Sequence, residues 1–248
     1  MKFFIVLSEP DIPCPNSTEY GVGFHFKEAN LDSEIDGKQF FYTELKYVYR
    51  LIKKQPNLTH FIEVQRPGPE EYRRGIRELR LGLGTKFRYF DDVSYGSDDV
   101  PVFSSNAIIA GPKIRIGDVG FYDGIGDLSG EEMGKLERGV LRWGAVNGEL
   151  KLFQKLWLRG GVRSHGKKGK LVIELLRKAA ENCRAGIVDF LQEHIEAGLI
   201  NNDMIMETVS VLVDRTTLKD STNDEMDVEG VIYAVYIIYN HKDRLIKN

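Results

Sequence analysis

Two groups of basic side chains have the type and spacing to do chemistry. The segment 159–170 holds Arg159, Arg163, Lys167, Lys168 and Lys170 without one acid. Such a cationic stretch can meet an acidic protein surface or a phosphate backbone. No aromatic residue lies in it, which argues against recognition of single strands by base stacking. The second group follows Pro69, where Arg73, Arg77 and Arg80 recur at i, i+4 and i+7 on one helical face, with Arg74 beside them. Glu70, Glu71 and Glu78 sit at spacings that favour intrahelical ion pairs, so a solvated, paired face is the plainer expectation there. Arg159, Arg163, Lys167 and Lys168 are the first candidates for partner binding, and Arg73 and Arg77 the second.

Other reactive residue types are sparse. His25, His60, His165, His194 and His241 fall at no metal-ligand spacing. Cys14 and Cys183 can build neither a disulfide framework nor a metal knuckle, and they point to a reducing compartment. No Gly-x-Ser-x-Gly elbow occurs, and the glycines at 82, 84, 124 and 126 lack the lysine and following helix of a P-loop. The sequence therefore assigns no catalytic residue, no cofactor and no metal.

The chain that must position these residues has 248 of them, 42% hydrophobic, with 34 basic against 37 acidic side chains and a formal charge of −3. That composition can bury a core, which excludes wholesale disorder. Its charge balance argues against a life on nucleic acid. The longest apolar run, 231–239, is nine residues, against the roughly 20 that span a bilayer. The start reads as a strand rather than a signal peptide. No membrane association and a cytoplasmic location are expected.

The period of the chain changes near residue 128. Before it, 2–8, 21–26, 39–42, 60–64, 107–110 and 113–116 are short, aromatic or β-branched and strand-like. Helices are predicted over about 43–53, with Leu45, Val48, Tyr49 and Ile52 on one face, and 69–81, with Ile76 and Leu79 inward. Beyond it, Ser129 and Glu132 form a capping box. Helices follow at about 131–146, 149–158, 171–181, 186–196, 203–217 and 228–244. The last carries Tyr233, Tyr236 and Tyr239 among aliphatic residues and serves either as a cap or as a homodimer seam. This predicts an α+β N-terminal domain over 1–127 followed by an all-α domain over 128–248.

Within the helical half, residues 145–156 align with 180–191 at an offset of 35. Ala145 matches Ala180, Asn147 matches Asn182, Leu152 matches Ile187 and Leu156 matches Leu191. Each unit is a helix, an Asn-containing reversal and a second helix whose apolar face must stack on a neighbour. The pattern resembles the ankyrin repeat in its turn and second helix, while the usual Thr-Pro-Leu-His opening is absent. The resemblance implies an ankyrin-like helical repeat domain, with 159–170 projecting between units as part of a binding surface.

The blocks at 37–52, 58–67 and 105–118, in that order, look like the N-terminal region of ankyrin-repeat proteins of amoeba-infecting giant viruses. The likeness implies a non-enzymatic adaptor that binds a host or viral protein, in the host cytoplasm or carried in a virion. Residues 37–42, a helix and then 61–64 are also similar to a segment of poly(ADP-ribose) polymerase-like transferases. That second likeness implies a nicotinamide cradle around Gly37, Tyr42 and Tyr49. The glutamate it requires is replaced by Asn106-Ala107. A protein-binding adaptor is the leading expectation; an NAD-binding transferase-like domain and a nucleic-acid adaptor are the alternatives.

Overall fold

The computed structural model describes residues 3–8, 22–26, 40–54, 57–79, 89–90, 103–126, 128–159 and 168–194, with single positions at 203, 206, 210 and 236. Contacts divide the chain into two compact units, Met1–Leu128 and Ser129–Asn248. The first contains β1 (Phe3–Ser8), β2 (Gly23–Phe26), β3 (Phe40–Glu44), α1 (Leu45–Lys54), β4 (Leu58–Gln65), α2 (Pro69–Glu78), β5 (Tyr89–Phe90), β6 (Phe103–Ser105), β7 (Ala107–Arg115) and α3 (Val119–Asp123). Among the described residues no helix is long and apolar enough to cross a membrane.

The seven strands form one sheet in the order β2-β7-β4-β1-β3-β6-β5, antiparallel throughout. That order cannot lie flat. β7 and β6 stand four places apart, or about 19 Å at about 4.8 Å per strand. Only Asn106 separates Ser105 from Ala107, and two residues of chain reach about 7 Å. The sheet therefore curls until its flanks meet. Residues 103–115 act as one bent strand, pairing with β3 at its start and with β4 further on. The rings of His25 on β2 and Phe40 on β3 lie 6.5 Å apart, which only a closed sheet permits.

Inside the curl, Ile5, Phe40, Tyr42, Ile62, Val64, Ile108 and Ala110 form one buried cluster, with Phe3 and Phe103 packed against it. On the other side of β1 and β4, Phe4 and Phe61 meet Phe121 of α3 at centroid distances of 6.0 and 5.3 Å. Tyr122 of the same short helix is buried and donates its hydroxyl to the Ile116 carbonyl at 2.7 Å. Helix α1 packs on β1 and β3 and buries Leu45, Val48 and Ile52.

Several local details differ from the sequence expectation, among them α3, which it did not predict, and the helix expected from 171, which starts three residues earlier at Lys168. The helix predicted from residue 43 starts at Leu45, because Thr43 and Glu44 extend β3 to pair with Phe4 and Phe3. The strands predicted at 107–110 and 113–116 are one strand, β7, running through Gly111-Pro112. Proline survives there because the register shifts opposite Ile62–Val64, so the ladder needs no donor at that point. Leu79, expected to face inward, caps α2 and is 47% exposed.

The second unit contains α4 (Gly130–Asn147), α5 (Leu150–Arg159), α6 (Lys168–Glu181) and α7 (Ala185–His194). The capping box is formed: Glu132 N donates to Ser129 Oγ at 3.3 Å, and Ser129 N donates to Glu132 Oε2 at 2.9 Å. The helices contact one another in a ring, α4–α5–α7–α6. The helices predicted at 203–217 and 228–244 lie outside the described residues, apart from single helical positions.

The expected ankyrin-like helical repeat domain is not what the structure shows; the fold is an α+β mixture. The 35-residue echo encodes a shared helix ending. Asn147 Nδ2 donates to the Trp143 carbonyl at 2.9 Å, and Asn182 Nδ2 to the Lys178 carbonyl at 2.8 Å. The next residue in each case is left-handed, Gly148 at φ 78° and Cys183 at φ 54°. Beyond these turns the units diverge, since α4 has 18 residues and α6 has 14. The described residues supply two hairpins, short of the about three units a repeat stack needs.

Helices α4 and α6 are tied by a fork-to-fork pair, Arg142 Nε to Glu174 Oε1 at 2.8 Å and Arg142 Nη2 to Glu174 Oε2 at 2.9 Å. The two side chains are only 22% and 28% exposed, so screening is partial rather than complete. A double-mutant cycle of Arg142→Ala and Glu174→Ala should give a coupling of about 1 kcal/mol in urea unfolding. A coupling near zero would show that the pair only decorates the helix contact.

Candidate functional site

Helix α2 begins where Gly68, in extended backbone, donates its N–H to Glu71 Oε2 at 2.7 Å and Pro69 enters the first turn. Its inner side is built around a glycine. A methyl at Gly75 would overlap the Phe24 ring of β2, so the helix backbone lies directly on that ring. Tyr72 adds edge contacts to Phe24 and Phe26 at 6.0 and 6.3 Å, and Ile76 is buried. Partial burial raises the Tyr72 phenol above its usual pKa.

The outer side carries Glu70, Glu71, Arg73, Arg74, Arg77 and Glu78, all exposed. The ion pairs expected from their spacing are not formed. Glu71 is turned back to the helix start, and Arg77 Nε donates to the Arg73 carbonyl at 3.2 Å. Among the described residues Arg73, Arg74 and Arg77 form no ion pair, nor do Glu70 and Glu78. Arg80 lies outside the described residues. What remains is a row of guanidinium groups on a clamped helix, each able to grip a carboxylate or phosphate with two parallel hydrogen bonds.

The other candidates belong to the second unit. Arg163 and Lys167 lie outside the described residues, and Lys168 is the half-buried first residue of α6. Arg159 ends α5 with its Nε 3.7 Å from Glu137 Oε1. Glu137 is 7% exposed; burial pushes its carboxyl up, while Arg159 and then Arg138 pull it down. Arg159 is therefore tied to a buried acid.

Pattern reading passed over Arg66. It lies just past β4, in phase with the inward Ile62 and Val64, and that alternation was the available signal. Its guanidinium stands 4.6, 5.1 and 5.7 Å from the ring centroids of Phe3, Phe103 and Tyr42. Tyr42 is 2% exposed and its hydroxyl has no hydrogen-bond partner among the described residues. The residue implied for a nicotinamide cradle is thus shut inside the sheet, Tyr49 accepts from Arg50 Nε at 3.1 Å on α1, and Gly37 lies outside the described residues. Among the described residues no three His, Cys, Asp or Glu side chains gather as a metal site.

Comparison with known proteins gives no match to a family model, to a curated protein or to a solved structure.

Two substitutions test this geometry. Glycine to alanine inside a helix ordinarily gains up to about 1 kcal/mol, whereas overpacking costs about 1–3 kcal/mol. Gly75→Ala should therefore destabilise the protein in urea unfolding, and a gain would show that Phe24 yields freely. For Glu137, a folded pKa above the unfolded value means its contribution is fully present at low pH and is lost as pH rises through the folded value. Removing Arg159 raises that value further. Arg159→Ala should lower the melting temperature more at neutral pH than below 4.5, the ordinary carboxyl value; equal losses at both would refute the linkage.

Proposed function

We propose that the chain is a non-enzymatic recognition module, an adaptor that binds another protein through the outer face of α2. The observation that carries this reading is the exposed row Arg73, Arg74 and Arg77, without ion pairs although Glu70, Glu71 and Glu78 lie on the same helix. Arginine presented on a fixed helix loses less freedom on binding than arginine on a free loop, so more of its hydrogen-bond energy survives as affinity. Charged rows of this kind chiefly set partner choice and encounter rate. An exposed free Cys183 suits a reducing, cytoplasmic setting. On the giant-virus likeness of the N-terminal blocks, the partner would be a host or viral protein. The second-unit candidates Arg159 and Lys168 rank lower, Arg159 because it already holds Glu137.

The test compares affinity capture by the wild-type protein and by Arg73→Ala/Arg77→Ala, after their melting temperatures are matched. A defined set of captured proteins should fall about tenfold with the variant. An unchanged set would remove α2 as the binding face.

A further inference from the structure

The charges on α2 do more than mark a cationic face. Along the helix they run Glu70, then Arg73 and Arg74, then Arg77, then Glu78, all exposed and without ion pairs among the described residues. Together with Glu71, three acids balance three bases over a ten-residue helix. That helix is about 15 Å long, little more than the Debye length of about 10 Å at 0.1 M salt. At a distance its charges cancel, so a polyanion such as nucleic acid finds no net attraction. At contact distance they do not cancel. Arg73 and Arg77 lie about one turn apart, and the Nε bond of Arg77 to the Arg73 carbonyl fixes where that guanidinium starts.

We propose that this face docks a protein segment of the complementary order, two carboxylates about one turn apart flanked by cations that meet Glu70 and Glu78. The inference rests on the reading that α2 is the docking face, and it names the chemistry of the partner. Fit depends on both signs. The arginines hold the carboxylates, and the glutamates reject a uniformly acidic chain as well as accept the flanking cations. The Gly75 seat on Phe24 keeps the row in one position, so the spacing is read rather than averaged.

Fluorescence anisotropy with three probes tests this on the full chain. They are a helical peptide with two glutamates one turn apart flanked by lysines, a poly-glutamate peptide of equal length, and an RNA oligonucleotide. The mixed-charge peptide should bind about tenfold tighter than either other probe, and Arg73→Ala/Arg77→Ala should weaken it about tenfold. Glu70→Gln/Glu78→Gln should leave the melting temperature intact and narrow the preference over poly-glutamate. Poly-glutamate binding as tightly, still through the arginines, would overturn the mixed-charge inference while leaving α2 a protein-docking face. Tighter RNA binding through the arginines would overturn both that inference and the protein-recognition reading. So would arginine variants that bind every probe like the wild type.

Discussion

One residue of chain, Asn106, sets the shape of the first unit. Because β6 and β7 are joined by it alone, two strands on opposite flanks of β4-β1-β3 must be neighbours along the backbone. A sheet under that constraint has to close, and closure gives it an inside. The inside is where Ile5, Phe40, Tyr42, Ile62, Val64, Ile108 and Ala110 converge from four different strands. Ser105 secures the bend by donating its hydroxyl to the Ala107 carbonyl at 2.7 Å, and Asn106 itself is buried. The bend also explains why a strand containing Gly111-Pro112 is retained: a strand that pairs with β3 early and β4 late has to turn, and irregular pairing supplies the turn.

The treatment of charge follows from what closure leaves inside and outside. Arg66 lies at the edge of the closed interior, and three aromatic faces take the place of part of its hydration. In the second unit, Glu137 is buried near Arg159, and Arg142 meets Glu174 with two hydrogen bonds between helices. These charges are committed to the fold. Those of α2 are not, because the helix uses a glycine and a tyrosine to seat itself and leaves its charged side in water. The contrast separates a charge that holds structure together from one available to a partner, and among the described residues it is the ground on which α2 is proposed ahead of Arg159.

Much of the local structure was legible in the residues. Ser129 with Glu132 announced the start of α4, and the apolar spacing of Leu45, Val48 and Ile52 announced α1, because caps and helical faces are set by neighbours within one or two turns. The aromatic and β-branched runs gave most strands for the same reason. Less visible were β5 and β6, two and three residues long, which exist only because partners across the sheet supply their hydrogen bonds. The echo between 145–156 and 180–191 was real but carried less than it promised. Its matched asparagines cap helices, a local task, and a local task says nothing about how many hairpins stack.

For the candidate site the division is similar. Residue types and spacing along the chain were enough to place Arg73, Arg74 and Arg77 on one helix, since helical period is a property of the backbone. They could not say whether Glu70, Glu71 and Glu78 would neutralise them. That choice depends on where each side chain goes once α2 is seated, and Glu71 goes to Gly68 while Arg77 turns to Arg73. Nor could alternation alone show that Arg66 would meet Phe3, Phe103 and Tyr42, residues drawn from three other strands. The sequence by itself determined α1, α2 and α4 to α7 to within a few residues, most strands and the positions of the charges. It did not determine α3, whose five residues are held by Phe121 and Tyr122 packing rather than by a helical pattern. Only the tertiary structure decided which charges are used internally and which face outward, because burial and pairing are set by contacts between residues far apart in the chain.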